Sequence, residues 1–310
     1  YVGNYDFWYQ ASQLAQQQRQ DANKKTEAKA KDLKEFIQRF SSNASKARQA
    51  TARKKLLDKL ELDDLPASSR KYPFILFKPG RPCGDVILEV DGISKSIEGV
   101  QLLRNFTLTV NRGEKIAFVG TNAPAITALF QILAGEEQPD TGAFRWGQTM
   151  STTYFPKENS AFFQGDMTLV DWLRQYTPVT EGESFARGFL GKMLFSGDEA
   201  LKKTSVLSGG ERVRCLLAKM MLSDANALIL DEPTNHLDLE SITALNQGLQ
   251  NFSEIILFSS HDHTLVQTVA NRIIEILPGG IVDKMMPYDD YLADPEVQAQ
   301  REAFGALRLG

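Results

Sequence analysis

The chain has 310 residues, 42% of them apolar or aromatic, and a formal net charge of −4. That length and apolar content suffice for one large domain with a sizeable core plus an appendage, and no apolar run reaches the roughly 18 residues of a membrane-spanning helix. Only Cys83 and Cys215 occur, without metal-ligand spacing, and with no signal-sequence pattern in view the expectation is a cytoplasmic protein.

The charge is segregated along the chain. Residues 11–60 hold 13 Lys and Arg against 5 Asp and Glu, a net +8, which leaves −12 for the remainder. Gln10 to Phe40 is rich in Ala, Gln, Lys and Glu with no Pro or Gly, a composition that predicts a helix reaching roughly 45 Å at 1.5 Å per residue. Ser41-Ser-Asn43 breaks it, and a second basic helix is predicted to about Leu62. Leu33, Phe36, Ile37, Phe40, Leu56, Leu57 and Leu60 are placed to zip the two into a hairpin. Between Phe36 and Lys55 the residues Arg39, Lys46, Arg48, Arg53, Lys54 and Lys55 face no acidic neighbour in sequence. Such a run fits a nucleic-acid footprint, and an inert solvated spacer is the alternative.

Asp64-Leu-Pro-Ala-Ser-Ser-Arg70 has turn composition and marks a boundary, giving a linker over residues 1–66 and a domain over 67–310. Val86 to Val90 and Phe106 to Val110 read as strands, and Lys115 to Gly120 as a core strand. The loop after it, Gly120-Thr-Asn-Ala-Pro-Ala-Ile-Thr127, leads to a helix predicted from about Thr127. Thr168 to Tyr176 and Phe185 to Leu194 read as helices of a small subdomain, with Phe162, Phe163, Trp172 and Phe189 as its core rather than a base-stacking platform. Ser208 and Glu211 have capping-box spacing, so Gly209 and Gly210 open a helix whose free N–H groups and positive dipole end attract phosphate. Glycines there let a ligand approach the backbone. Cys215 falls on that helix as a core thiol. Ala227 to Leu230 is a buried strand ending in Asp231-Glu232, and Ile255 to Ser260 a second, ending in His261-Asp262. Adjacent carboxylates at a strand end suit a magnesium-linked Asp231 and a water-directing Glu232, with His261 placed to sense a γ-phosphate. Alternating strands and helices predict a mixed sheet flanked by helices, and the tail after Leu292 is expected to be a surface helix or disordered.

Leu207-Ser-Gly-Gly-Glu211, Leu230-Asp-Glu-Pro-Thr-Asn-His-Leu-Asp238 and Ser260-His-Asp262 resemble the signature, Walker B, D-loop and switch histidine of ABC ATPases, and the Thr234 to Asp238 form is similar to that of the ABC-F family, soluble tandem-ABC proteins that act on ribosomes. The resemblance covers nearly the whole chain. It implies a P-loop NTPase-type α/β fold, ATP and Mg2+ as cofactors, and Glu232 and His261 as catalytic positions. Tyr1 to Tyr9 resembles the tail of a first ABC domain, and with no initiator Met the chain is expected to be part of a longer protein. Phe36 to Phe40 and Ala44 to Ala50 are similar to the linker tip that reaches P-site tRNA and ribosomal RNA, which points to Arg39, Lys46, Arg48, Gln49, Arg53 and Lys54 as RNA contacts.

The sequence departs from the family pattern in one pocket. A functional phosphate loop needs glycines around a Lys followed by Ser or Thr. Here Gly120, Asn122 and Thr127 remain, but Ala123 and Ala125 hold glycine positions, Pro124 removes a donor and Ile126 stands for the lysine. Ile97 stands where an aromatic stacks on adenine, and Lys157 where a glutamine is usual. The pocket is therefore expected not to grip ATP, and to resemble an ABC-F subgroup with a degenerate second phosphate loop. Because ABC domains pair head to tail, Ser208, Gly209, Gly210 and Glu211 would cover ATP held by the first domain, and this chain alone would be inactive while the longer protein hydrolyses ATP. Self-association of the chain is a further possible contact. The alternatives are the ATP-binding subunit of a membrane transporter and an inactive regulatory ABC domain.

Overall fold

The computed structural model of this chain describes residues 71–305. The predicted hairpin, its candidate RNA contacts Arg39, Lys46, Arg48, Gln49, Arg53 and Lys54, and the boundary near residue 66 lie outside the described residues.

Strands β1 (Leu88–Ile97) and β2 (Val100–Val110) form an antiparallel hairpin, with Leu88 opposite Val110 and Ile97 opposite Val100. Its turn, Glu98 at φ 52 and Gly99 at φ 81, has the positive pair that matches the twist of a two-residue hairpin. The strand predicted at Phe106 to Val110 is the end of β2, while that predicted at Val86 to Val90 begins two residues late, at Leu88, and runs on to Ile97. β4 (Thr141–Trp146) pairs with the other edge of β1.

The larger sheet has the order β5-β6-β7-β3-β8-β9, built from β3 (Lys115–Val119), β5 (Thr152–Phe155), β6 (Ala227–Asp231), β7 (Ile255–Ser259), β8 (Arg272–Leu277) and β9 (Gly280–Lys284). All its pairings are parallel except β8 with β9. Every residue of β6 and β7 is buried, the consequence of covering a parallel sheet on both faces. Leu228 and Leu230 pack in one apolar cluster with Val213, Leu216 and Leu217, whereas Ala227 and Ile229 point into a second with Phe106, Leu129 and Phe130.

Among the described residues the α-helices are α1 (Ala123–Ala134), α2 (Leu169–Arg174), α3 (Glu183–Lys192), α4 (Gly209–Leu222), α5 (Leu239–Asn251), α6 (His263–Val269), α7 (Tyr288–Ala293) and α8 (Pro295–Gly305). α2 and α3 form the predicted helical subdomain. Phe163 and Trp172 are buried there with rings 4.8 Å apart, and the Trp172 indole donates to the Phe162 carbonyl at 2.8 Å. That is core packing, as expected. Cys215 on α4 is fully buried, and burial pushes its thiol pKa up. Of the tail after Leu292, Pro295–Gly305 is helical and docked, with Val297 buried and the Arg301 guanidinium 2.8 Å from Glu275. This is the mixed α/β architecture expected of a P-loop NTPase. Among the described residues, no helix is long and apolar enough to cross a membrane. The carboxyl ends of β3, β6 and β7 meet side by side, where parallel sheets open their crevices.

Candidate nucleotide site and signature face

Strand β3 delivers Gly120 at φ 102, and a Cβ there would lie 2.8 Å from the buried Glu275 side chain. Only glycine fits. Beyond it the helix does not wait for Thr127, as the sequence suggested. α1 begins at Ala123, so the segment that would form a phosphate loop is wound into the helix. The Ala125 and Ile126 N–H groups both donate to the Asn122 carbonyl, at 3.1 and 3.3 Å. The physical reason is compositional: Ala favours helix where Gly would not, and Pro124 sits in the first turn, where its missing N–H costs nothing. Ala125 and Ile126 are buried in the second apolar cluster.

Thr127, the next residue, turns its hydroxyl to Asp231 Oδ2 at 2.7 Å, and the Ser259 hydroxyl donates to Asp231 Oδ1 at 2.9 Å. Burial raises the Asp231 pKa, against the pull of these two hydroxyls and of the Lys157 charge. Burial likewise raises that of Glu232, with the His261 charge opposing it and Asp231 reinforcing it. One Glu232 oxygen lies 3.2 Å from the His261 imidazole, while Oε2 is buried with no partner. Asp231, Glu232, Ser259 and His261 line a cavity of about 130 Å³, whose other walls include Ala123, Ile126, Ser260, His263 and Tyr288. Thr127 and Asp231 are hard oxygen donors of the kind magnesium takes. Among the described residues, no set of three His, Cys, Asp or Glu side chains is arranged to hold a metal. Lys157 is exposed, two residues beyond Phe155, whose register partner is Leu230. Ile97 is 44% exposed at the hairpin tip.

The signature face is built as its sequence predicts. Ser208 caps α4 reciprocally: its N–H donates to Glu211 Oε2 at 2.8 Å, and its hydroxyl accepts the Glu211 N–H at 3.3 Å. Burial would raise the Glu211 pKa, but the Lys202 ammonium 2.9 Å away and the Ser208 donors hold it at about 2. The glycines have a neighbour the sequence did not reveal. A Cβ on Gly209 would lie 3.1 Å from His236 Cγ, and one on Gly210 would lie 2.8 Å from the His236 carbonyl oxygen.

Two family models, each described as ABC transporter, match residues 1–75 and 103–235. The chain carries an ABC ATPase domain. It is 61% identical over 299 residues to the "Uncharacterized ABC transporter ATP-binding protein YkpA" of Bacillus subtilis, covering 96% of this chain and 55% of that protein. It is 39% identical to the "Probable ATP-binding protein YbiT" of Escherichia coli O157:H7, with 96% and 56% covered. With "ABC transporter F family member 5" of Arabidopsis thaliana it shares 31% identity, over 86% of this chain and 39% of that one. The chain thus spans about half the length of the first of these relatives. Among solved structures, the ATP-binding cassette MJ0796 bound to ADP and Pi superposes with a TM-score of 0.54 at 16% identity, covering 64% of this chain and 99% of that one. CbiO1 of Clostridium perfringens gives 0.52 at 19%, with 71% and 96% covered. These two likenesses establish the fold.

The structure gathers the predicted Gly120, Ala123, Ile126, Asp231, Glu232 and His261 around one cavity, with Thr127 bonded to Asp231. Sequence reasoning assigned no site role to Ser259, Ser260, His263 or Tyr288. The two serines were legible as polar residues closing an apolar run. His263 and Tyr288 come from separate helices, and no local pattern announces them.

Proposed function

We propose that this chain is the linker and second ATP-binding domain of a longer ABC-F-type protein, and that its role is to cover ATP and Mg2+ held by a first ABC domain. The observation that carries the reading is the contrast within one domain: an intact, doubly bonded Ser208–Glu211 cap beside a phosphate loop wound into α1 with Ile126 at the lysine position. Its Ala125 and Ile126 amides are directed at Asn122, and Ile126 cannot supply the charge-assisted bond a lysine there would make. Under this reading the chain's own cavity, with Asp231, Glu232 and His261, is catalytically silent, while Ser208, Gly209, Gly210 and Glu211 serve the other site.

The basic run Arg39 to Lys55 then belongs to a linker that contacts ribosomal RNA and P-site tRNA, and the protein works in the cytoplasm. Support comes from that charge segregation, from the Thr234-Asn-His-Leu-Asp238 form and from a relative whose name places it in an F family. The test is sedimentation of the longer protein from lysates, with a Glu→Gln substitution at the first domain's catalytic position to hold ATP. Accumulation on ribosomes is expected. Recovery with membranes instead would favour a transporter subunit.

A further inference from the structure

We propose that His236 is a positioning residue for the signature, and that the cluster of Asp231, Ser259, Ser260 and Thr234 persists because it fixes the loop that carries His236. This rests on the reading that Ser208 to Gly210 face ATP held by another domain. Glu232 at φ 51 and His236 at φ 65 are non-glycine residues in the left-handed region, a conformation that persists where its surroundings impose it. The surroundings here are explicit. The Glu232 N–H donates to the Ser259 carbonyl at 3.2 Å and to the Ser259 hydroxyl at 3.1 Å, and that hydroxyl donates to Asp231. The Thr234 and Ser260 hydroxyls bond at 3.1 Å. Two turns follow, Asn235 N–H to the Glu232 carbonyl and Leu237 N–H to the Thr234 carbonyl, each 3.2 Å. At the far end Asp238 caps α5 by accepting the Ser241 N–H at 2.8 Å.

Held at both ends, the loop lays His236 on the Cβ-free sides of Gly209 and Gly210: ring and Cβ against the first, carbonyl oxygen against the second. The glycines are therefore needed inside the chain as well as toward a ligand. A carboxylate cluster with no phosphate to serve in its own cavity still acts, through Thr234 and His236, on where the start of α4 points.

The two contacts differ in a way that can be measured. A methyl added by Gly209→Ala meets side-chain atoms that His236→Gly deletes, and glycine adopts φ 65 without strain. A methyl added by Gly210→Ala meets a backbone oxygen that His236→Gly leaves in place. In the longer protein, Gly209→Ala, Gly210→Ala and His236→Gly should each lower ATP turnover by about threefold or more, and in the His236→Gly background Gly209→Ala should cost little further whereas Gly210→Ala should keep its full cost. Full turnover in His236→Gly, or a Gly209→Ala loss as large with His236→Gly as without it, overturns the proposal. The chain has three histidines, so imidazole NMR of the 310-residue chain gives an independent reading: Gly209→Ala should shift the His236 signals and leave those of His261 and His263 in place. Unmoved His236 signals overturn the packing. If Gly209→Asp leaves turnover intact, the covering role falls, and the NMR result still decides whether His236 packs on the signature.

Discussion

Rebuilding the phosphate loop is the most direct test of the proposal that this domain's own cavity is silent. The perturbation is Ala123→Gly, Pro124→Ala, Ala125→Gly and Ile126→Lys together, placed where α1 now begins. Ile126 is 4% exposed in an apolar cluster, and removing a buried side chain of that size costs about 2–3 kcal/mol. Two Ala→Gly changes at helical positions add up to about 1 kcal/mol each. The rebuilt domain should therefore be less stable by about 4–5 kcal/mol without nucleotide, which for a domain of this size lowers Tm on the order of 10 °C. With an ammonium supplied by Ile126→Lys and the loop amides freed from Asn122, Mg-ATP at about 100 times its Kd would return about 2.7 kcal/mol. Calorimetric scanning and titration read both effects: a large Mg-ATP-dependent rise in Tm for the rebuilt chain and none for the natural one. A natural chain that Mg-ATP stabilises as much as it does the rebuilt one refutes the reasoning, because the helical loop would then bind phosphate as it stands.

In the proposed longer protein, Gly209→Asp should abolish ATP turnover by placing a carboxylate at the helix start proposed to face phosphate, while Glu232→Gln should keep most of it; equal damage from both would mean the cavity beside Ile126 is catalytic. Neutralising Lys46, Arg48 and Arg53 together should weaken ribosome binding and flatten its salt dependence, since fewer counterions are released; unchanged affinity across salt concentrations would leave the hairpin a spacer. Glu211, held at about 2 against a usual 4.5, contributes stability that is fully present above pH 4.5 and lost as pH falls toward 2. The acid limb of Tm against pH should accordingly flatten in Glu211→Gln, and an unaltered limb would show that the Lys202 and Ser208 contacts do not hold that carboxyl.

Much of the site was written in local order. The strand ending in Asp231-Glu232 and the strand ending at His261 were readable because both are apolar runs cut off by polar residues, and a parallel sheet covered on both faces demands such runs. The Ser208 cap was readable because its two partners are three residues apart and bond each other. The start of α1 falls four residues before the predicted Thr127, since a comparison with glycine-rich loops carried no information about what Ala123, Pro124 and Ala125 do once the glycines are gone. In their absence local helix propensity prevails, and the amides close on Asn122.

The sequence by itself determined the motifs, the buried strands, the charge segregation and the isoleucine at position 126, all properties of residues near one another in the chain. Only the tertiary structure decided that Thr127 would meet Asp231 across 104 positions, that Ser259 would tie Asp231 to Glu232, and that His236 would lie against Gly209 and Gly210. Those contacts depend on β3, β6 and β7 lying side by side in an order unlike their order in the chain, and on loop backbones held at positive φ by distant hydroxyls. Such partners are set by sheet register and packing, which no local residue pattern encodes.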